Sequence, residues 1–463
     1  MGLGTGLTIA ATGLRATQTW ADTIARNIAN ATTEGYTRKD VELSTLSGGV
    51  TVSAFNRDVS SSLDRMTRAS TAKIATQDTI ASTLEGYTSL LGQPDDETSP
   101  VAYLTAFQTG LETLAADPSS AVAQRSAIET AGQLVSAINA ASSALSSVST
   151  DTEKQIQSQV TEVNDLLTKI GEMNTKLTHT TEGSLDNGDL QDEMGKLLDK
   201  LSGYVDFSVS QTTAGLTTVY APNGLVLVDS QTTLQLGYDG SRLTAGGTDI
   251  TPADSTVRGF NEGSLSGLFE LKRDILPEFA AQLNSLAAGL ITGFSSADAS
   301  LTSGQAGLFT DNGAAWDGVS LDGLAARLTL NPDASSNVTL IRDGFGATVE
   351  GEASDTTQIN AFLAVFDSDL SFDASAGLGS SMTLSEFTAQ MVATQQSTRS
   401  DAESSSATLA VTAETISASR ENLRGVNIDD EMQKLLMVQQ GYAANSKVLT
   451  SLIEMMDTLL EAV

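Results

Sequence analysis

Apolar residues recur along this chain in a helical rhythm at both ends, and those two ends predict its plan. Leu3, Leu7, Ala10, Leu14, Thr17, Ala21, Ile24 and Ile28 alternate gaps of four and three, the seam spacing of a coiled coil. Asn30, Thr32, Thr33 and Gly35 then crowd turn-formers together and predict that this helix stops there. Near the other end, Ile428, Met432, Leu435, Gln439, Tyr442, Ser446, Leu449, Ile453, Met456, Leu460 and Val463 keep the same alternation. A helix at a chain end frays unless something holds it. The simplest partner for the first helix is therefore the last one. Gln439 and Ser446 place polar groups on the second seam, which lowers stability and can select register or partner number.

Between the ends helical periodicity dominates. Helices are predicted over 66–91, about 101–116 and 120–177, the third carrying a drifting stripe suited to a bundle. Asn223-Gly224 and Asp239-Gly240, flanked by β-formers, predict hairpins in a small antiparallel β unit over 204–258. Helix resumes with Leu268, Leu271, Ile275, Phe279, Leu283, Leu286 and Leu290 on one face, which predicts a kink rather than a stop at Pro277. Residues 301–380 are rich in Gly, Asp and Ser and read as a small inserted domain or long excursion. Helix returns over 385–424. The expected fold is mainly α with β insertions (α+β), an elongated, nested multi-domain chain with paired terminal coiled-coil helices. Its expected domains are 1–40 plus 425–463; a helical bundle of 41–203, 259–300 and 381–424; the β unit of 204–258; and the variable segment of 301–380.

Composition narrows the functions open to such a chain. Among 463 residues, 25 Lys and Arg face 57 Asp and Glu, a formal charge of −32. Nucleic acid is then a poor partner, because phosphate binding needs clustered cations. With no cysteine there are no disulfides and no thiolate metal sites. No apolar run approaches the ~20 residues of a membrane span. Arg15 sits inside the first apolar stretch rather than before it, unlike a secretory signal peptide.

Catalytic groups are scarce. The single histidine, His179, falls at an expected helix end, where an exposed imidazole is the ordinary outcome. Asp186, Asp189, Asp192 and Glu193 lack the alternating oxygen spacing of a calcium loop; Asp189 is expected to cap a helix, with the acids behind it complementing the dipole. Asp311 and Asp317 around Gly313 fail the same spacing test. No phosphate-cradling Gly-Lys-Ser/Thr loop occurs. The chain is expected to be no enzyme and to need neither cofactor nor metal.

Two motifs add what periodicity cannot supply. "ARNIANATTEGYTRKDVEL" resembles the N-terminal motif of bacterial flagellar axial proteins through Asn27, Ile28, Ala29, Asn30, Thr33, Gly35 and Tyr36. "GVNIDDEMQKLLMVQQGYAANSKVL" resembles their C-terminal motif through Val426, Asn427, Asp430, Glu431, Met432, Gln440, Tyr442, Ala444, Asn445 and Lys447. In the middle, "ADPSSAVAQRSAIETAGQLVSAIN", "GDLQDEMGKLLDKLSGYVDFSV" and "GSLSGLFELKRDILPEFAAQLNSLA" are similar to the hook-associated protein 1 family, with departures at Met194 and Gly195. The resemblance covers about 1–295 and 385–463. It implies a structural adaptor at the hook–filament junction, secreted through the flagellum's type III channel and assembled as a ring. Implied partners are hook protein, hook-associated protein 3 and an export chaperone at the C-terminal region, with the apolar seam residues as the assembly surface. The alternatives are another axial protein (hook-associated protein 3, a hook or a rod protein) or an extracellular enzyme displayed on the flagellum. A hook protein should be β-dominated between its ends, whereas this chain reads as helix from 66 to 177.

Overall fold

In a computed structural model, residues 2–46, 48–230, 232–252 and 259–461 are described. Val463, the last position of the second predicted seam, and residues 253–258 of the predicted β unit lie outside them. The structure is 63% helical with small antiparallel sheets, the mainly α fold with β insertions expected from the pattern. The chain divides into two compact units rather than along the four expected domain boundaries. One comprises residues 1–76, 158–266 and 407–463, the other residues 77–157 and 267–406. The helices α2 (Ser61–Leu91), α4 (Ala121–Thr178) and α12 (Leu384–Arg424) contribute residues to both. Long uninterrupted helices explain the difference, since composition marks no break inside a helix that leaves one core and enters another.

The first unit begins with α1 (Leu3–Ala29) and a hairpin of β1 (Lys39–Leu46) and β2 (Gly49–Arg57), paired antiparallel with a bulge at Glu42/Leu43. Gly48, at φ +85°, lies in the turn, a conformation that suits a residue without a Cβ. This hairpin fell inside the predicted helical bundle, yet the alternation of "VTVSAF" is a strand signal. The helix α5 (Leu185–Leu201) is capped by Ser184, whose hydroxyl accepts from Asn187 N; Asp189, the expected cap, lies inside the helix. Two three-stranded antiparallel sheets follow, β3–β4–β5 (Ser208–Gln211, Thr217–Tyr220, Val226–Val228) and β6–β7–β8 (Leu236–Tyr238, Leu243–Ala245, Thr248–Asp249). Gly224 and Gly240 take positive φ in the two predicted turns.

Asparagines on α4 dock these sheets by mimicking a strand edge. Asn174 Nδ2 donates to Thr217 O while its Oδ1 accepts from Thr217 N. Asn164 makes the same pair of bonds with Leu236 O and N. Each amide satisfies two backbone groups that would otherwise face a helix with nothing to bond. The unit closes with α13 (Ile428–Glu461).

The second unit gathers α3 (Pro100–Ala116), the kinked run from Gly267 of α6 (Ser264–Glu270) through α7 (Leu276–Ala297), and the segment after it. At the expected kink the helix widens into a π-helical turn, Leu271–Ile275, that leads into the first turn of α7, which carries Pro277. Proline removes one backbone donor and crowds the preceding turn, and a wider turn relieves both. Residues 301–380 form no separate domain. They build β9 (Phe309–Asp311) on β10 (Leu328–Leu330), single turns α8 (Leu324–Arg327), α9 (Asp333–Ser336) and α10 (Leu340–Asp343), then α11 (Thr357–Asp367) and the pair β11 (Leu370–Ser371) with β12 (Ser381–Met382). Their aromatic residues explain the merger. Phe107 of α3 and Phe294 of α7 meet Phe309 and Phe366 at centroid distances of 5.1–5.8 Å, and Phe294 also meets Phe362. All five rings are buried.

Candidate functional site: the polar joint of the terminal helices

The terminal helices α1 and α13 pair, and they run antiparallel. Gly6 lies against Leu452, Gly13 against Asn445 and Gly441 against Thr17, while Asn27 bonds Glu431. Rising numbers on one helix meet falling numbers on the other, in one register throughout. The contact is thin. A Cβ on Gly13 would stand 3.0 Å from Asn445 Nδ2, so small residues let the backbones approach closely.

On α1 the predicted seam is largely the inward face. Ala10 and Ile24 are buried, and Leu7, Leu14, Thr17, Ala21 and Ile28 are half-buried; the side chain of Leu3 lies outside the described residues. On α13 the inward face lies about one residue away from the predicted seam. Glu431 and Val438 are buried, and Lys434, Leu435, Gly441, Asn445, Leu449 and Leu452 are half-buried. Of the predicted positions, Leu435, Ser446 and Leu449 are therefore half-buried, while Ile428, Met432, Gln439, Tyr442, Ile453, Met456 and Leu460 are exposed, Leu460 by 69%. Apolar residues surround α13 on several sides, so periodicity could not say which side meets its partner.

At the far end of the pair the chemistry changes from small to polar. Asn27, fully buried in the last turns of α1, is a four-way connector. Its Nδ2 donates to Lys39 O and to Glu431 Oε2, both at 2.9 Å. Its Oδ1 accepts from Tyr36 Oη at 2.8 Å and from Lys39 N at 3.2 Å. One side chain thus ties α1 to the turn, to the first residue of β1 and to the first turn of α13. The motif residue Asn427 begins that turn of α13, where its Oδ1 accepts from Asp429 N. Glu431 is 1% exposed and also accepts from Lys434 Nζ, which reaches Asp40 on β1 as well.

Lys39 forms the second layer. Its Nζ donates to Asp189 at 2.6 Å and to Asp192 at 2.8 Å, both on α5, and lies 4.3 Å from the centre of the Tyr36 ring. Arg57 of β2 pairs with Asp192 through Nε and Nη2. Lys39 is only 2% exposed and Asp192 6%, so this is a buried ion cluster. Such a cluster persists because each charge meets an opposite one and a hydrogen bond. Burial pushes the Tyr36 hydroxyl up to about 12, with the Asp189 and Asp192 carboxylates adding to the shift.

The turn between α1 and β1 is shaped by Gly35 at φ +73°. A Cβ there would lie 2.8 Å from the Lys196 side chain of α5, so the turn presses on that helix. Asn30 closes α1 by donating from Nδ2 to Arg26 O. The structure thus joins the motif residues Asn27, Gly35 and Tyr36 with Glu431, whereas Asn427 and Asn445 act elsewhere on α13. Lys39, Arg57, Asp189 and Asp192 were not singled out as one site. Their signal was a pair of acids one helical turn apart on a predicted helix.

The joint holds no catalytic geometry. Its acids are neutralised by Lys39, Arg57 and Lys434, and His179 is exposed just past the end of α4. Asp311 pairs with Arg327, and Asp317 caps a turn by accepting from Val319 N and Ser320 N. Among the described residues, no group of three His, Cys, Asp or Glu is placed to hold a metal, and no helix is long and apolar enough to cross a membrane.

Comparison with known families matches this architecture piece by piece. Residues 7–37, which hold most of α1 and the Gly35 turn, match the family described as flagella basal body rod protein. Residues 414–462, which hold α13, match the flagellar basal body rod FlgEFG protein C-terminal family. The two ends are thus similar to those of flagellar rod-type proteins. Residues 84–307 match the flagellar hook-associated protein FlgK helical domain. Over that middle segment the chain is similar to flagellar hook-associated protein 1. It is 29% identical over 243 residues to flagellar hook-associated protein 1 of Bacillus subtilis, covering 48% of this chain and 47% of that one. With the Salmonella typhimurium protein of the same name it shares 26% identity over 305 residues, 62% of this chain and 55% of the relative. The chain therefore spans about half the length of these curated relatives. The solved structure of the flagellar hook junction protein FlgK from Burkholderia pseudomallei aligns over 53% of this chain and 46% of its own, at 21% identity and TM-score 0.43.

Proposed function

We propose that this chain is a structural adaptor of the flagellar axis that joins hook to filament. The single observation that carries this reading is the surface of α13. Met432, Leu436, Met437, Tyr442, Val448, Ile453, Met455, Met456, Leu459 and Leu460 are all more than a third exposed on one helix. Isolated exposed apolar residues are ordinary, but a concentration of this kind marks an interaction surface. It falls within the segment that matches the rod-type C-terminal family, so the proposed occupants are neighbouring subunits of the axis. The α1–α13 pair then forms the inner, subunit-contacting part, and its thin small-residue seam suits terminal segments that order fully on assembly.

On this reading the chain assembles as a ring above hook protein and below hook-associated protein 3, outside the cell. It arrives through the flagellar type III channel, its C-terminal region held beforehand by an export chaperone. Electron microscopy of a strain lacking the gene tests the assignment. The expected result is intact hooks without filaments, with flagellin shed into the medium. Filaments of normal length in that strain would overturn it, and loss of the hook itself would move the chain to a rod or hook position.

A further inference from the structure

The sulfur of this chain is distributed unevenly. Cysteine is absent, so methionine is the only oxidisable sulfur. Met173, Met194 and Met391 are buried at 7%, 0% and 0% exposure. The methionines counted among the exposed large hydrophobics are Met66 of α2 and four residues of α13, Met432, Met437, Met455 and Met456. Met437 and Met455 lie about five helical turns apart on one flank. Met432 points away from that flank, and Met456 lies in the last turns, beyond the α1 residues that face Leu452. Any apolar partner that covers the free circumference of α13 must rest on one or more of these thioethers.

We propose that these four methionines form an oxidation-sensitive modification site, and that their conversion to sulfoxides blocks docking on α13 without unfolding the chain. The reactant is a two-electron oxidant of the peroxide class. The thioether sulfur attacks one peroxide oxygen, the O–O bond breaks, an S–O bond forms, and water leaves after proton transfer. Sulfur is oxidised by two electrons and the peroxide is reduced by two. The product replaces a soft apolar side chain by a polar, chiral one that needs a hydrogen-bond partner. On the solvated helix water supplies that partner, and folding is unaffected. Beneath an apolar neighbour no partner exists, and the contact is lost. The inference rests on the proposed docking role of α13.

The test uses the full chain and isolated hooks from a strain lacking this gene. Purified protein is treated with hydrogen peroxide, quenched, and mapped by peptide mass spectrometry. The expected map shows an added oxygen at Met432, Met437, Met455 and Met456, and at Met66, before Met173, Met194 or Met391. Helical circular dichroism and the melting midpoint should stay unchanged, while sedimentation with hooks falls at least tenfold. Treatment with both methionine sulfoxide reductases should restore binding. A variant with all four α13 residues changed to Leu should lose no further hook binding on peroxide treatment, whatever its starting affinity, whereas Met66→Leu should not protect. Oxidised protein that carries the four sulfoxides and still binds hooks overturns the proposal, as does earlier oxidation of the buried methionines. The double variant Leu436→Asp with Leu459→Asp separates the two readings. If it binds hooks normally, the docking role itself is wrong; if it fails while oxidised wild type binds, only the oxidation site is wrong.

Discussion

Replacing Asn27 by Leu keeps the volume of the side chain and removes all four of its hydrogen bonds. The partners left behind differ in what they can do. Lys39 N and Lys39 O belong to a buried residue at the start of β1, and neither has a described alternative partner. Glu431 keeps its bond from Lys434 but loses the one from Asn27. Tyr36 is half-buried, so its hydroxyl can turn to water. Stranding a buried neutral donor or acceptor costs about 1–3 kcal/mol, and a bond to a charged group contributes about 1.5–3 kcal/mol. Two stranded backbone groups and one weakened carboxylate site then sum to a loss of about 3.5–9 kcal/mol, a large part of the stability of an ordinary domain. Urea unfolding followed by far-UV circular dichroism reads the total. Amide exchange shows where it falls, with faster exchange in residues 37–41 and in the first turns of α13. A loss below about 1 kcal/mol, or exchange unchanged at both places, would refute the assignment of Asn27 as the connector.

Gly35→Ala must place a Cβ at φ +73° and 2.8 Å from Lys196, and should lower stability by about 1–3 kcal/mol in the same urea titration. Tyr36→Phe changes the alkaline limb. The wild-type hydroxyl titrates at about 12 when folded against 10.0 for the free group, so the native state holds the proton more tightly. Its contribution is complete below pH 10 and is lost between about 10 and 12, a slope that the phenylalanine variant should lack in melts taken across that range. Phe294→Ala removes a buried ring that touches four others and should cost about 3–5 kcal/mol by calorimetry, with loss of the native aromatic circular dichroism.

Helix positions were the most legible part of the fold, because caps and breakers bound them. Pro100 starts α3, Asp117 and Pro118 end it, and Gly35 closes the turn after α1, all features of local chemistry. The division into two units was not legible. It depends on which stretch of α4 meets which neighbour, and Ala and Ser face either core without changing the local pattern. The joint was half legible. Asn27, Gly35 and Tyr36 stood out as a motif, but Lys39 and Asp192 are separated by 153 positions and meet only because the hairpin and α5 converge. The seam of α13 misled for a related reason. Leucine and methionine mark an inward face only when the outward face is polar, and here both faces carry them.

That last point explains why the joint is built from ions and amides. A seam of Gly6, Gly13, Thr17, Gly441 and Asn445 lets two helices approach closely, but it specifies little about register. With apolar residues on several sides of α13, a slide by one helical turn, or a rotation that brings Ile453 and Met456 inward, would also bury apolar side chains. Apolar burial is non-directional and cannot choose among these arrangements. The Asn27–Glu431 contact can. Moving α13 by one turn would leave a carboxylate that is 1% exposed without its amide partner and draw Lys434 away from Asp40. Stranding that charge costs more than any gain from an extra methionine contact, because a buried unpaired ion loses its hydration with nothing in return. Lys39, Asp192 and Arg57 fix the hairpin to α5 in the same way, so the turn that carries Tyr36 meets Asn27 in one position only. With register held at this buried end, the apolar side chains along the rest of α13 are left free to face a partner.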